Sequence, residues 1–262
     1  MEKQEVIFRD LGVMPYKEAW DYQEELLQEN VRIKSVLRTL AEQNTIAESA
    51  NTFSNESLPT ADCRLTTDDS PLKTSHYLLL VEHPPVFTIG KSGNMDNVLL
   101  SEELLKRRGI DFFRTNRGGD ITFHGPQQIV GYPILDLEKF YTDIGKYLRS
   151  IEEIIILTLA EYGIKGDRSP GETGVWIDPF VKGKERKICA IGVRSSRWVT
   201  MHGFALNVNT NLDYFQLIVP CGIQGKQVTS LQKELGREVD VEEVKEKLKK
   251  NFEKVFDSKL IE

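Results

Sequence analysis

KICAIGVRSSRWVTMHGFALNVN, residues 187–209, reads as two strands joined by a turn. Lys187 through Val193 is an almost wholly apolar run of strand length with a lysine at its mouth. His202 through Asn209 alternates and is its partner, and the polar loop at 195–201 makes the pair a hairpin. Cys189, enclosed by apolar neighbours, reads as core. Lys187 has two readings from its position alone. It either caps the strand in solvent, or sits at the edge of a core where partial desolvation suits acid–base work.

Strands and helices continue outward from this hairpin. Residues 5–8 form a short first strand, and Pro15 opens a helix with Tyr16, Ala19, Trp20, Leu26 and Leu27 on one face and Gln23 as a polar break. From about Asn44 to Ser75 the sequence turns polar and aperiodic, which predicts an exposed insertion at about 38–75 holding Cys63 and bordered by His76. Tyr77–Val81 and Val86–Ile89 are strands separated by a kink at His83-Pro84-Pro85. A short helix follows at Ser101–Arg108, then strands at 111–114 and within 128–137. A long helix from Thr142 or Asp143 to Tyr162 has Leu148, Ile151, Ile154, Ile155, Thr158, Leu159 and Tyr162 on its buried stripe. Residues 165–174 are a polar loop, Val175–Ile177 a strand, and 240–257 a closing amphipathic helix. The whole, 1–262, is expected to be a single domain.

Two motifs carry chemistry. Arg117-Gly118-Gly119-Asp120-Ile121-Thr122-Phe123-His124-Gly125-Pro126 combines a fixed cation, a glycine turn and a histidine, the makings of a glycine-lined pocket. It lacks the lysine and spacing of a Walker loop. Ile218-Val219-Pro220-Cys221-Gly222-Ile223 holds a thiol between a proline and a glycine. Read locally, Cys221 is either a small buried hydrophobe or a presented nucleophile.

Composition narrows the class. The net charge of −6 over 262 residues argues against a general nucleic-acid binder. Three cysteines without disulfide-like spacing fit a reducing cytoplasm, and the N-terminus carries no signal-peptide pattern. His76, His83, His124 and His202 show no metal-ligand spacing, and no run is long enough to span a membrane. Neither a metal nor a cofactor is expected.

Taken in order, HPPVFTIGK (83–91), RGGDITFHGPQQIVGYPILDL (117–137), GETGVWID through KICAIGVR to HGFALNVN, and IVPCGI (218–223) resemble the lipoyl(octanoyl) transferase family. The resemblance covers nearly the whole chain apart from roughly 38–75. It implies an α/β fold with a mixed or antiparallel sheet flanked by helices, related to biotin- and lipoate-protein ligases. It also implies transfer of an octanoyl group from acyl carrier protein to a specific lysine of lipoyl domains, in 2-oxoacid dehydrogenase complexes and the glycine cleavage H protein, within lipoate biosynthesis. The family's acyl-carrying cysteine falls on Cys221 and its lysine on Lys187. Its acyl-pocket segments fall on Arg117, Gly118, Gly119, Asp120, Ile121, Thr122, Phe123 and His124, on Ala190, Ile191 and Gly192, and on Gly203, Phe204 and Ala205. The family usually has glycine where Gln127 stands, so the pocket mouth is expected to differ there.

The chemistry suits those residue types. Thioester-to-thioester exchange needs no ATP, the thiolate is the reactive form, and a nearby ammonium favours it. Backbone N–H groups at the glycine turns are candidates for holding the oxyanion. An acidic carrier docking on an anionic enzyme needs a local basic patch, for which Arg114, Arg117, Lys184, Arg186, Arg194 and Arg197 are candidates. The chain is taken as a monomer. The competing readings are an ATP-dependent ligase of the same fold, a non-catalytic acyl-binding protein, and a hydrolase using Cys221 with His124.

Overall fold

The computed structural model describes residues 3–51, 72–219 and 227–262. In chain order, β1 (Gln4–Val13) leads into α1 (Tyr16–Asn51), then β2 (Tyr77–Glu82) and β3 (Val86–Ile89). Helix α2 (Glu102–Arg107), β4 (Asp111–Arg114), β5 (Ile121–His124), β6 (Gln128–Ile134) and α3 (Ile144–Ala160) follow. After them come β7 (Gly166–Arg168), β8 (Val175–Ile177), β9 (Arg186–Ser196), β10 (Val199–Asn207), β11 (Gln227–Val228), α4 (Leu231–Leu235), α5 (Val241–Phe256) and β12 (Ser258–Ile261).

Among the described residues these strands build two sheets. The larger runs β12-β1-β2-β6-β10-β9-β8-β7, with β11 added against β9, and mixes parallel with antiparallel pairs. The smaller is β4-β3-β5. The proline kink has a clear job: β2 ends in the large sheet at Glu82, and β3 begins in the small one at Val86. The same break that excludes one continuous strand moves the chain between sheets.

The hairpin at 187–209 is the middle of the large sheet, tighter than the sequence suggests. Ser196 already pairs with Val199, so the turn is Arg197-Trp198 alone instead of 195–201. Both take positive φ, 49° and 67°, the geometry of a two-residue turn that matches strand twist.

Helices cover both faces. On one, Ile151, Ile154, Ile155 and Leu159 of α3 join Leu248 and Phe252 of α5 in a core with Leu206, Ile188 and Cys189. Tyr147 takes the buried place expected of Leu148, which is only half-buried, as is Tyr162. On the other face, Ala19 and Leu27 of α1 pack on Leu79, Val130, Met201 and Ala205.

The predicted insertion is overturned over its first part. Helix α1 continues through Asn51, where a polar loop was expected from about 38 or 44. Between Lys34 and Thr45 the helix buries no apolar stripe, so hydrophobic periodicity gives no signal there. Alanine, glutamate, leucine and glutamine are strong helix formers nevertheless. Residues 52–71, with Cys63, lie outside the described residues. Thr74 and His76 are buried where the chain returns. Polar side chains clamp α1 to the body: Asn30 exchanges two 2.8 Å hydrogen bonds with the backbone of Ser75, and Lys34 pairs with Asp136 at 2.5 Å. Strands β7 and β12, at positions read as loop or tail, extend the sheet at its two edges.

Candidate active site

A cavity of about 640 Å³ opens between the large sheet and the Arg117–Gly119 turn. Its size suits a small-molecule site. Strands β9 and β10 supply one wall through Ala190, Ile191, Gly192, Gly203, Phe204 and Ala205. Strand β5 and the turn before it supply another through Arg117, Gly118, Gly119, Asp120, Ile121, Thr122 and His124. Lys187 stands among the lining residues. Thus every described residue picked from the sequence lines the cavity except Phe123. Successive side chains of a strand point to opposite faces, and Phe123 is turned into the core, stacked on Tyr214 at 4.4 Å.

The turn is held against β9 by backbone. Gly118 N–H donates to Val193 O at 2.9 Å, so this amide is committed and does not serve an oxyanion. Gly192 permits that approach: a Cβ there would stand 2.9 Å from Gly118 O and 3.2 Å from Arg117 Cδ. Arg117 is buried, donating to Thr88 O at 2.7 Å, to Thr88 Oγ1 at 3.0 Å and to Gly118 O at 3.0 Å. It builds the turn and is not a surface cation for a docking partner.

His124 belongs to a directed hydrogen-bond chain. Gln128 Nε2 donates to Phe123 O and Asn207 Oδ1, which fixes its carboxamide and leaves Oε1 to accept from His124 Nδ1 at 2.9 Å. His124 Nε2 then accepts from Thr88 Oγ1 at 3.3 Å. Burial, with His83 and Arg117 nearby, holds His124 well below its usual pKa and therefore neutral. Both ring nitrogens are occupied, which removes the general base required by a Cys221–His124 hydrolase. His83 is similar: Nδ1 donates to Met14 O, Nε2 accepts from Tyr132 Oη, and burial lowers its pKa to about 4.

Lys187 also lines the cavity, its side chain 13% exposed. Its Nζ stands 4.6 Å from the Trp176 ring centre and 4.0 Å from Glu172 Oε2. Trp176 pairs with Lys187 across β8 and β9, so the ring under the ammonium is fixed by register. Glu172 was read only as loop. A single glutamate in a polar run carries no spacing signal, and a tertiary contact places it. Buried Glu152 on α3 accepts from Gly174 N at 3.0 Å and pairs with Arg149 and Arg168, pinning the 168–174 loop. Tyr16, Gln128 and Asn207 are further cavity residues that sequence reading passed over.

Cys189 faces the core, and burial raises its thiol pKa far beyond the reactive range. Cys221, with Pro220, Gly222 and Ile223, lies outside the described residues. The flanks of that segment are described. Val219 N donates to Asn97 O at 2.8 Å on one side. On the other, Gln227 and Val228 run parallel to β9, Val228 opposite Lys187, and Thr229 N donates to Lys187 O at 2.9 Å.

Gln127 has a different role from the one expected. It does not line the cavity but turns the chain before β6 at φ 63°, a region glycine enters most easily. Its N–H donates to Glu82 Oε2, and its own oxygens accept from Asn209 and Thr210. Among the described residues no His, Cys, Asp or Glu cluster could hold a metal ion, and no helix is long and apolar enough to cross a membrane.

Residues 60–253 match the model of the lipoyl protein ligase A/B catalytic domain. The chain belongs to this family. Curated relatives include an octanoyltransferase of Christiangramia forsetii, 53% identical over 98% of this chain and 97% of its own, and one of Flavobacterium psychrophilum, 54% identical over 97% of each. Among solved structures, a bipartite lipoate protein ligase of Thermoplasma acidophilum superposes with a TM-score of 0.60, at 16% identity over 99% of this chain and 88% of that one. A lipoate-protein ligase A bound with ATP gives 0.59 at 15% identity, over 100% and 90%. The α/β fold with its mixed sheet and flanking helices is therefore the lipoate-protein ligase fold.

Proposed function

We propose that this family member transfers an octanoyl group from acyl carrier protein to a lysine of lipoyl domains, through a thioester on Cys221. Octanoyl transfer in lipoate biosynthesis is the activity of a transferase with relatives above 50% identity along nearly its whole length. The finer reading rests chiefly on one observation: Val228 is paired with Lys187, and Cys221 precedes Val228 by seven residues. A chain of that length spans at most about 25 Å, a covalent limit that supports a scheme in which Cys221 works with Lys187.

In this scheme Lys187 favours the Cys221 thiolate, which attacks the donor thioester carbonyl and expels the carrier thiol. The octanoyl chain enters the apolar part of the cavity, past Ala190, Phe204 and Ala205. Each buried methylene contributes about 0.8 kcal/mol, so cavity depth can select chain length. The acceptor lysine, as its neutral amine, then attacks the enzyme thioester: the amide C–N bond forms, the C–S bond breaks, and one amine proton passes to the departing Cys221 sulfur. Neither step consumes ATP, and both belong in the reducing cytoplasm that spares a free thiol.

The test is transfer from octanoyl-carrier protein to an apo lipoyl domain in the absence of ATP. The wild type is expected to turn over, with Cys221→Ser lowering kcat by at least about a thousandfold. A strict ATP requirement with Cys221→Ser fully active would replace this scheme with ligase chemistry.

A further inference from the structure

Resting on that reading, we infer that Glu234 is a positioning residue for Lys187, fixing the backbone that presents the ammonium to the cavity. Lys187 is the second residue of β9, and strand ends are where local opening costs least. The charged loop before it, 178–185, is largely exposed. Its neighbour β11 is two residues long and runs parallel, the less stable pairing per residue. Backbone pairing alone is a weak hold on the mouth of this strand.

Glu234 of α4 supplies the hold from two directions. Its carboxylate takes Arg186 bidentately, Nε donating to Oε1 and Nη2 to Oε2, each at 2.6 Å, a strong and orientation-specific form of ion pair. Arg186 directly precedes Lys187, and successive side chains of a strand point to opposite faces. Lys187 accordingly lines the cavity and Arg186 does not. Glu234 Oε1 also accepts from the Thr229 hydroxyl at 2.5 Å, and Thr229 N donates to Lys187 O at 2.9 Å. Thr229 is fully buried, and Asn207 Nδ2 donates to its carbonyl at 2.9 Å, which ties the same residue to β10. The Glu234 side chain is 13% exposed, and the guanidinium holds its carboxyl below the usual carboxylate range, so the pair stays ionised at neutral pH. Asp178 meets Arg186 too, accepting from Nη1 at 2.6 Å, but it is 45% exposed, where an ion pair contributes little. One carboxylate that does not itself line the cavity therefore grips the chain on both sides of the lysine.

The readout is the Cys221 thiol pKa, taken from the pH dependence of its alkylation by iodoacetamide and followed at Cys221 by peptide mass. Lys187→Ala sets the scale, since loss of the ammonium raises that pKa. Glu234→Ala is expected to raise it by about one pH unit and to lower kcat about tenfold, with KM for the octanoyl donor within about twofold of wild type. In a Lys187→Ala background the same substitution adds less than about 0.3 pH unit, because the group it positions is gone. Thr229→Val keeps the branched shape, removes only the hydroxyl, and is expected to shift the pKa in the same direction by a smaller amount. It carries the test if Glu234→Ala does not fold. A purely structural role would lower the melting temperature and leave the Cys221 pKa in place. An unmoved pKa in the folded variants, or equal shifts with and without Lys187, would overturn the inference. A pKa unmoved by Lys187→Ala itself would overturn the role given to Lys187 in the thioester scheme, and this inference with it.

Discussion

At the scale of single residues, the cavity separates groups held still from groups left to react. His124 has both nitrogens bonded and is neutral, so its value is architectural. Replacing it with leucine would orphan Gln128 Oε1 and leave the Thr88 hydroxyl proton without its acceptor, for a loss of about 2 kcal/mol or more in denaturant unfolding. Buried His76 and His83 have pKa values lowered to about 4, and His202 to about 3, each chiefly by burial. A histidine kept neutral by the fold stabilises fully above its unfolded pKa of roughly 6.5 and loses that contribution as pH falls toward the folded value. The melting temperature is therefore expected to drop steeply between about pH 6.5 and 4, and a flat profile there would contradict the buried neutral histidines. Most of the cavity wall was legible in the sequence through the family resemblance, with glycines and small residues beside strands marking where backbones approach closely. Phe123 was misread because a motif does not state which face of a strand each residue takes. Glu172 was missed because only the grip of Glu152 on its loop makes it part of the site.

At the scale of elements, α3 does more than cover the sheet. Its buried Glu152 ties the helix to the loop carrying Glu172. Glu152→Ala should cost about 3 kcal/mol, leaving the buried Gly174 amide without its acceptor and Arg168 with Glu153 as its remaining carboxylate partner. Gly192→Ala should push the Arg117–Gly119 turn off β9 and raise KM for the octanoyl donor, since the added carbon meets Gly118 O. Element types were readable where apolar spacing was regular, as in α3 and α5. The stretch of α1 at 37–45 was not, because its largely exposed residues reveal helicity only through propensity. The 195–201 loop shrank to two residues because the positive φ of Arg197 and Trp198 has no marker in their side chains.

At the scale of the molecule, two sheets meet over one cavity, and the kink at 83–85 joins them. The surface charge argues for local docking of the donor. The structure thins the list of basic candidates: Arg117 is buried, Arg186 is tied to Glu234 and Asp178, and Arg194 is paired with Glu24. Reversing Arg194 and Arg197 would set a new carboxylate against Glu24, confounding docking with stability. The cleaner double reversal uses exposed Lys184 and Arg197, and a KM for the carrier-bound donor raised about tenfold at low salt is expected. An unchanged KM would remove the basic-patch idea. The sequence could name the sheet's central hairpin, but parallel pairing of β11 with Lys187's strand is a long-range register that only the fold displays. That pairing is the observation on which the proposed Cys221 intermediate rests. Intact-mass analysis after incubation with octanoyl-carrier protein tests it most directly. The expected result is one octanoyl adduct, mapped to Cys221 and discharged by an apo lipoyl domain; sustained turnover with Cys221 unmodified would contradict it.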